Sequence, residues 1–437
     1  MHVLEGVVRP YAWGSRTALA ALRGLPTPSA HPEAELWFGA HPAAPARALD
    51  EDVDLLSVIE TDPAAQLGPA CADTFGNRLP FLLKVLAADE PLSLQAHPTL
   101  AQARAGFARE NAAGIALDAP DRNYRDDNHK PELVVALTEF DALAGFREPA
   151  TTVDLLRDLQ VAELDPYLGL LAGQPDSHGL RALFTTWITL PDAILHALIP
   201  AVLDGAIAYL NRGDRRFATE LQTVLELGEA YPMDPGVLTV LLLNRLRLRP
   251  GEGLYLGAGN LHAYLRGTAV EVMANSDNVL RGGLTPKHMD VPELLAVLDF
   301  APSAPADLHP HIHVLGAEKI YSTPAPEFRL SRIDLDGTGL QRSSSISLDA
   351  AGPQILTVID GTIEVRSHTG QVVSVSAGHS LWLGDADPDV VVRAASSAAV
   401  FFRALVPSPR PVAGGAEDRA HAGAERSSGG AGLSSRT

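Results

Sequence analysis

Hydrophobic residues along the first third of the chain are grouped in short runs that are typical of buried β-strands. The runs 81–86 and 133–137 are almost entirely apolar, as expected for strands that are covered on both faces. The run 93–97 alternates between polar and apolar side chains, which predicts a strand with one polar face. Thr99 then stands at a helix cap position, and we predict a helix from there to about Asn111.

Between residues 150 and 245 the spacing of apolar residues changes to that of helices. Phe217, Leu221 and Val224, for example, are four and three residues apart and lie on one face of a helix. Strand patterns return at 253–256. The sequence therefore predicts a helical region inserted into a β-domain that is completed after it.

Residues 311–405 contain only strand and turn patterns. An Asp-Gly pair at 360–361 separates the apolar runs 355–359 and 362–365, which predicts a β-hairpin. The run 377–383 resembles a late strand of a cupin jelly roll, and 251–262 has the same character. Two jelly rolls related by duplication are therefore expected.

These patterns together predict a mainly β protein with a helical insertion. We expect two cupin-type jelly-roll β-domains plus an α-helical domain. The predicted divisions are a discontinuous first jelly roll (1–149 and 246–310), a helical domain (150–245), a second jelly roll (311–406) and a tail (407–437). The tail is rich in Gly, Ala, Ser and Arg without apolar periodicity, and we expect it to be disordered.

Composition restricts the class of protein. A length of 437 residues exceeds one typical core. The first five residues have neither the basic nor the apolar part of a secretory signal, and the apolar stretch 194–210 is interrupted by His196, Pro200 and Asp204. Cys71 is the only cysteine, so an intramolecular disulfide and a multi-thiolate zinc site are excluded. We expect a cytoplasmic protein without a membrane segment.

The charge balance excludes further partners. The chain carries 34 basic and 53 acidic residues, a formal net charge of −19. Such a field repels nucleic acids and anionic membranes, so neither is expected as a partner. An anionic substrate would need a local cationic pocket.

Polar groups are concentrated between residues 262 and 287, in the run HAYLRGTAVEVMANSDNVLRGGLTPK. The run combines His262, the carboxylates of Glu271 and Asp277, and the cations Arg281 and Lys287 with buried-type apolar residues. Because buried polar groups are costly unless paired or coordinated, the combination indicates a polar cavity. A solvated loop is the alternative reading for a run of this kind.

This run resembles the long motif of the type I mannose-6-phosphate isomerases. YRDDNHKPE (124–132) resembles the short motif of that family, and LPFLLKVL (79–86) with SLQAHP (93–98) resembles its metal-binding strand. YAWG (11–14) and ELWFGAHP (35–42) also fit. The resemblance extends from about residue 5 to 300 and more loosely to 405. Gly282 is a departure, since the family usually carries Ala there, but it removes no functional group.

The resemblance implies one zinc ion per chain, held by Gln95, His97, Glu132 and His262. Side chains two apart on a strand share a face, so Gln95 and His97 can reach one ion. Two nitrogen and two oxygen donors suit Zn²⁺, although the ligand types alone leave Co²⁺, Mn²⁺ and Fe²⁺ open. The second jelly roll offers only His368 and His379 in its hairpin region and is expected to hold no metal.

The activity that the resemblance implies is the interconversion of mannose 6-phosphate and fructose 6-phosphate, an aldose–ketose isomerisation that feeds mannose and GDP-mannose metabolism. Metal-assisted proton transfer between C2 and C1 passes through a cis-enediol, which requires an acid/base group and stabilisation of an oxyanion. By the same resemblance, Arg281 is expected to stabilise the transition state. The proton carrier is left open among His129, Lys130, Glu271 and Asp277, with Asp277 preferred and His129 and Lys130 as its support.

The remaining candidates would bind the substrate. Trp13 and Tyr264 are expected to form the pocket wall, and Ser93 is expected to donate a hydrogen bond to the phosphate. Lys84, Lys130 and Lys287 are expected to bind phosphate or sugar oxygens. The full set of substrate-binding residues is Trp13, Lys84, Ser93, Tyr264, Glu271 and Lys287. Core packing, or solvation for the lysines, is the alternative for each.

Two other function classes fit part of the sequence. A metal-dependent cupin oxygenase also uses two histidines and a carboxylate, but it leaves Gln95 and the cations Arg281, Lys130 and Lys287 unexplained. A non-catalytic sugar-phosphate-binding cupin is the second alternative. For the isomerase that the resemblance implies, the expected partner is a small sugar phosphate, and we expect a monomer.

Overall fold

The computed structural model describes residues 1–338, 344–348, 352–387 and 389–407. The tail predicted to be disordered, apart from Pro407, lies outside these residues.

Up to residue 146 the elements are β1 (His2–Glu5), β2 (Val7–Arg9), α1 (Ala18–Leu22), β3 (Glu35–Phe38), β4 (Arg47–Ala48), β5 (Val53–Asp54), α2 (Leu55–Thr61), α3 (Pro63–Phe75), β6 (Phe81–Ala88), β7 (Leu94–Ala96), α4 (Leu100–Ala112), β8 (Glu132–Ala136) and β9 (Phe140–Phe146). The next elements are α5 (Pro149–Asp158), α6 (Asp165–Gly173), α7 (Ser177–Ile188), α8 (Asp192–Asn211), α9 (Ala218–Ala230) and α10 (Gly236–Thr239), with 3₁₀ turns at Ala162–Leu164 and Val240–Leu242.

The remaining elements are β10 (Leu243–Leu248), β11 (Gly253–Leu256), β12 (His262–Ala274), β13 (Leu280–Gly283), α11 (Val291–Val297), a 3₁₀ turn (Pro305–Leu308), β14 (His311–Leu315), β15 (Glu318–Ser322), β16 (Arg329–Asp336), β17 (Ser345–Leu348), β18 (Gln354–Ser367), β19 (Val372–Ser376), β20 (His379–Leu383) and β21 (Val390–Leu405).

The first sheet combines strands from both sides of the helical region. Within the described residues it contains ten strands, with the order β10-β9-β12-β6-β3-β2 and with β7, β8, β11 and β13 attached. The long strand β12 pairs with β9 and β7 through its first half and with β6 and β8 through its second half. Strands that follow the helical region thus complete the sheet that begins before it, as the return of strand patterns predicted.

The second sheet contains eleven strands within the described part of the chain, in the order β14-β15-β16-β21-β18-β20-β1-β4-β5, with β17 and β19 attached. Its membership differs from the predicted division, which assigned residues 1–149 to the first jelly roll. The strand β1 instead pairs with β20, through Val3 opposite Leu381, and β4 and β5 follow it. Covering β20 with β1 removes an exposed strand edge, an arrangement that no local sequence pattern reveals.

The predicted hairpin at Asp360-Gly361 is wrong. Both predicted arms belong to the single strand β18, which pairs with β21 along its length and has irregularities on either side of this dipeptide. Gly361 has a φ of 71°, so the Asp-Gly pair does supply a left-handed residue, but it forms a bulge rather than a turn. A bulge and a type I′ turn select the same residues, and the remote partner strand decides between them.

The helical region forms as predicted, with buried faces such as Leu221, Val224 and Leu227 of α9. Helix α4 begins after Thr99, whose side chain accepts from the Gln102 amide in a capping box, which confirms that prediction. Helix α8 contains the apolar stretch 194–210 and continues through Pro200. By length and composition alone α8 is able to cross a membrane, but 39% of its apolar window is buried inside the protein.

Side chains point alternately to the two faces of a strand, and on three neighbouring strands this alternation determines where the site forms. On β6, β8 and β12 the residues Leu83, Leu133 and Val272 point towards the core shared with the second sheet. Lys84, Glu132 and Glu271 occupy alternate positions and therefore point to the opposite face, inside the first sheet.

Candidate active site: a buried His-Glu-His centre

Three buried side chains meet inside the first sheet and leave polar atoms unpaired. The Nε2 atom of His97 lies 3.4 Å from Oε1 of Glu132, and Nε2 of His262 lies 3.3 Å from Oε2 of the same carboxylate. Both Nε2 atoms and Glu132 Oε2 are buried without a hydrogen-bond partner among the described residues. Orphaned buried atoms of this kind are costly, and three that converge fit a metal ion.

Backbone carbonyls orient both imidazoles for this role. His97 donates from Nδ1 to the carbonyl oxygen of Asn278 at 2.7 Å, and His262 donates from Nδ1 to that of Asn260 at 3.0 Å. With the proton at Nδ1, each Nε2 lone pair faces Glu132. Burial, aided by Lys130, lowers the pKa of His97 to about 4, so the ring is neutral at physiological pH. A neutral imidazole is the form that binds a metal.

Gln95 lies in the same row as one of these histidines. On β7 it is directly opposite His262 of β12 on one side and opposite Arg281 of β13 on the other. Paired residues of neighbouring strands point to the same face, so Gln95 and Arg281 lie on the His262 face of the sheet. His97, two residues further on, continues that face.

Lys130 lies next to the carboxylate of the centre. Its Nζ atom is 2.9 Å from Oε1 of Glu132, and the side chain is buried. Burial by itself would raise the pKa of Glu132, but Lys130 and His97 outweigh it and hold that pKa well below its usual range. Glu132 is therefore ionised at neutral pH.

A chain of buried polar groups lies beside the centre. The Nζ atom of Lys84 lies between two carboxylates, 2.6 Å from Glu271 and 3.1 Å from Glu35. Each carboxylate has a second partner. The Tyr264 hydroxyl donates to Glu271 at 2.6 Å, and the Trp37 indole donates to Glu35 at 2.7 Å. Burial would lower the pKa of Lys84, but the neighbouring carboxylates raise it well above its ordinary value. Burial raises the pKa of Glu271, with Lys84 opposing. Lys84, Tyr264 and Glu271 are thus bound mainly to one another.

Asp277 lies at the more open side of the site. Its side chain is 49% exposed, and its Oδ2 is 3.5 Å from Nε2 of His41. The Ala43 amide donates to Nδ1 of His41, so the imidazole proton is at Nε2 and points to Asp277. The hydrogen bond from His41 lowers the pKa of Asp277, and burial opposes it. His41 was part of a quoted motif but received no role from the sequence.

A cationic cluster forms the rim of the site. Arg281 is half-buried, and its pKa is lowered by burial and by the nearby charge of Arg125. The pKa of Lys287 is lowered by burial and by the charges of Arg281 and Arg125. Within the described ranges, no carboxylate oxygen lies within 4 Å, the limit for an ion pair, of the charged nitrogen atoms of Arg125, Arg281 or Lys287. Arg125 lies in the short motif, but it received no role from the sequence.

A hydrogen-bonded loop holds the two motifs together. The Asn278 side chain accepts from the backbone amides of Arg125 and Asp126 and donates to the carbonyl oxygen of Asn128. Asp126 in return accepts from Ser276 and from the Asp277 amide. Asn278 also supplies the carbonyl for His97, so this turn supports the metal group from outside.

Three of the predicted residues have other surroundings. His129 points away from Lys130, and its Nε2 lies 2.6 Å from Oε1 of Glu327, which precedes β16 of the second sheet. Trp13 is half-buried and stacks on Tyr11, with the ring centres 5.8 Å apart. Ser93 lies half-buried just before β7. The structure therefore does not bring His129 to the centre, because a neighbour on the opposite face binds its ring.

Comparison with known proteins gives a consistent result. Residues 1–149 match the family model of the phosphomannose isomerase type I catalytic domain. The chain is 42% identical over 386 residues to the mannose-6-phosphate isomerase of Escherichia coli (strain K12), which covers 87% of this chain and 96% of the relative. It is 34% identical over 406 residues to the human mannose-6-phosphate isomerase, covering 87% and 92%.

Solved structures are similar over nearly the whole length. A phosphomannose isomerase variant from Salmonella typhimurium, with a glutamate replaced by alanine, matches with a TM-score of 0.84 at 39% identity, covering 93% of this chain and 99% of the other. A mannose 6-phosphate isomerase bound with zinc and yttrium matches with a TM-score of 0.83 at 40% identity, with the same coverage. Other Salmonella typhimurium variants with an alanine in place of a histidine, a lysine or an arginine also match.

Proposed function

The chain belongs to the type I phosphomannose isomerase family, and from that premise we propose how its own residues isomerise mannose 6-phosphate to fructose 6-phosphate. It is an aldose–ketose isomerase with zinc as its cofactor. The observation that carries the assignment of residues is the convergence of three unpartnered buried atoms, on His97, Glu132 and His262. Relatives that cover most of the chain are isomerases, so neither an oxygenase nor a non-catalytic binding protein is favoured.

Gln95, His97, Glu132 and His262 would hold the zinc ion. Bound zinc supplies a Lewis acid that polarises sugar oxygens and orients the open-chain sugar. The support for Gln95 is its strand register opposite His262, and the support for the other three is their mutual distances. Lys130 stabilises the ionised form of Glu132.

The cationic rim would bind the anionic parts of the substrate. Arg281 shares a strand row with Gln95, which favours contact with the sugar oxygens, where its guanidinium would stabilise the oxyanion of the enediolate. Lys287 and Arg125 would bind the phosphate. Their support is the absence of an ion-pair partner within the described residues, which leaves their charge available in a chain of net charge −19.

Asp277 would carry the proton between C2 and C1. Of the four candidates, Glu271 is bound to Lys84 and Tyr264, Lys130 to Glu132, and His129 to Glu327. Asp277 is about half exposed, and its lowered pKa keeps it in the base form at neutral pH. His41 would orient this carboxylate, because its Nε2–H points at Oδ2.

The other candidates would shape the pocket. Trp13 and Ser93, both half-buried, are proposed at the sugar and phosphate ends as the sequence predicted. Lys84, Tyr264 and Glu271 are proposed to keep the wall beside the zinc rigid, because they are bound to one another.

The two sheets are proposed as two cupin-type jelly rolls, with the helical domain at 150–245 and β1, β4 and β5 added to the second. Support comes from strand pairing across the helical region and from the length matched by the solved isomerases. A cytoplasmic monomer acting on a sugar phosphate remains the proposal, supported by the unpaired Cys71.

One assay series tests the proposal. Formation of fructose 6-phosphate is followed in a coupled assay with and without a chelator, and then after adding Zn²⁺. His262→Ala should lose bound zinc on elemental analysis together with activity, whereas His196→Ala, on the exposed side of α8, should keep both. Full zinc content in His262→Ala would remove the ligand assignment.

A second variant tests the proton carrier. Asp277→Asn should keep zinc and lose kcat by about 10²-fold to 10⁴-fold, the usual effect of removing an acid/base group. A kcat equal to that of the unmodified enzyme would assign the proton to another group.

A further inference from the structure

The turn after β13 joins Arg281 to Lys287 and has an unusual backbone. Gly283 and Leu284 have φ values of 125° and 56°, both in the left-handed region. Glycine adopts this region easily, but leucine rarely does, and it persists only where surrounding contacts hold it. The contacts that hold this turn come from the end of the helical region.

A single carboxylate makes most of these contacts. Asp234 accepts from the Leu284 amide at 2.9 Å through Oδ1 and from the Thr285 amide at 3.1 Å through Oδ2. Oδ1 also accepts from the Gly236 amide at 2.7 Å, which fixes the carboxylate on its own segment. Both oxygens of Asp234 are therefore bound to backbone amides on the two sides of the contact.

The two backbones touch at glycines. A Cβ atom on Gly283 would lie 2.7 Å from Cα of Gly236 and 2.9 Å from Oδ1 of Asp234, so neither glycine has room for a side chain. The same segment of the helical region reaches a second loop, because the Tyr231 hydroxyl donates to the carbonyl oxygen of Pro91 at 2.9 Å. The segment 231–236 thus contacts two loops, the one that leads to Ser93 and the one that contains Lys287.

We infer that Asp234 is a positioning residue, which holds the 283–285 turn so that Lys287 faces the phosphate while Arg281, on the strand before the turn, faces the sugar oxygens of the same substrate. The inference rests on the proposed role of Lys287 in binding phosphate. Two cations near each other repel, and besides burial the charge of Arg281 lowers the pKa of Lys287. A fixed turn keeps them together before the substrate arrives, which reduces the ordering cost of binding. The helical region therefore contributes to substrate binding without touching the substrate.

The test uses an anion that should bind to the cationic rim alone and measures its inhibition constant. Inorganic phosphate is used as a competitive inhibitor of the zinc-loaded enzyme, with Asp234→Ala compared with the unmodified protein. We expect the inhibition constant of phosphate and the KM for mannose 6-phosphate each to rise about tenfold, as expected for losing hydrogen bonds that fix a binding site. Zinc content should not change, because Asp234 contacts no metal ligand.

Two further variants separate positioning from simple support of the fold. Asp234→Asn keeps one acceptor oxygen, folds with the same shape and should raise the inhibition constant to an intermediate value. Asp176→Ala is the matched control. This carboxylate also accepts hydrogen bonds from two backbone amides, at the start of α7, so its loss should lower the melting temperature and leave phosphate inhibition unchanged.

The outcomes distinguish this inference from the proposed function. Lys287→Ala tests the phosphate site itself, and an unchanged inhibition constant there would overturn the role of Lys287. If Lys287→Ala raises the constant while both Asp234 variants leave it unchanged, the positioning role is wrong and the phosphate site stands. If Asp176→Ala raises it as much as Asp234→Ala, the effect is one of general stability, and the inference is also overturned.

Discussion

Three charged residues lie in the buried parts of neighbouring strands at the site. They are Lys84 on β6, Glu132 at the start of β8 and Glu271 on β12. Because an unpaired buried charge is strongly destabilising, each needs an opposite charge or a metal, and the structure supplies both kinds of environment. Lys84 lies between two carboxylates, whereas Glu132 lies between two histidines and a lysine.

Arg281 is expected to act mainly in the transition state. Arg281→Ala should lower kcat by about 10²-fold to 10³-fold with zinc still bound, as for loss of an oxyanion donor. Arg281→Lys should recover little, because an ammonium group cannot replace the planar guanidinium. Steady-state kinetics and zinc analysis check this. A change in KM alone would instead assign Arg281 to phosphate binding.

Lys84 gives a prediction for pH. Its pKa is raised by Glu271 and Glu35 against the effect of burial, so its contribution to stability is complete below the ordinary pKa of 10.5 and is lost only as the pH rises through the higher folded value. Lys84→Met leaves two buried carboxylates unpaired and should lower the free energy of unfolding by about 3–5 kcal/mol at pH 7.

The matched control for Lys84 is Lys319→Met, since Lys319 is 45% exposed and pairs with Asp334 at 3.4 Å. It should change the free energy of unfolding by about 1 kcal/mol or less. Denaturant unfolding between pH 6 and 9 measures both variants. A loss for Lys84→Met as small as that of the control would mean that the buried carboxylates take up protons instead.

At the scale of elements, the strand β18 depends on one glycine. Gly361 has a φ of 71°, and a Cβ atom there would lie 2.2 Å from the carbonyl oxygen of Ala398 on β21. Gly361→Ala should therefore cost about 1–3 kcal/mol of unfolding free energy, from backbone strain and from the forced separation of the strands.

Gly370 is the control for this substitution. It also has a positive φ, 87°, but no atom lies within 4 Å of its added Cβ. Gly370→Ala should therefore show only the backbone part of the loss. Thermal or denaturant unfolding compares the two, and equal losses would show that the contact with β21 contributes nothing.

At the scale of the whole molecule, the second sheet contacts the short motif of the first. His129 is adjacent to Lys130, and its ring is bound to the buried carboxylate of Glu327. The motif is thus held on one face by the contacts of Glu132 with His97 and His262, and on the other by the second sheet. Leu133 also belongs to the same hydrophobic core as Phe328 and Trp382, which supports the same junction.

A double-mutant cycle tests this junction. His129→Ala, Glu327→Ala and the double variant are compared by denaturant unfolding of the zinc-loaded protein. We expect a coupling energy of about 0.5–3 kcal/mol, because each single change leaves the other group without its partner. Purely additive losses would mean that the contact contributes no stability, and loss of zinc in Glu327→Ala would extend its role to the metal centre.

The sequence by itself determined the elements whose signals are local. The apolar runs of β6 and β8, the capping of α4 by Thr99 and the helical spacing of 150–245 depend on residues close together in the chain. The resemblance of the motifs also predicted that His97, Glu132 and His262 share one site, and the structure brings these three side chains together.

Only the tertiary structure decided which elements meet. It assigned β1 to the second sheet, turned the expected hairpin into a bulge against β21, and bound His129 to Glu327, 198 residues away. It also placed His41 next to Asp277, and it placed Asp234 against the turn that follows β13. Hydrogen bonds and ion pairs act over a few ångströms in space, whereas sequence periodicity reports only a residue's own element, so partners remote in the chain become visible when the chain folds.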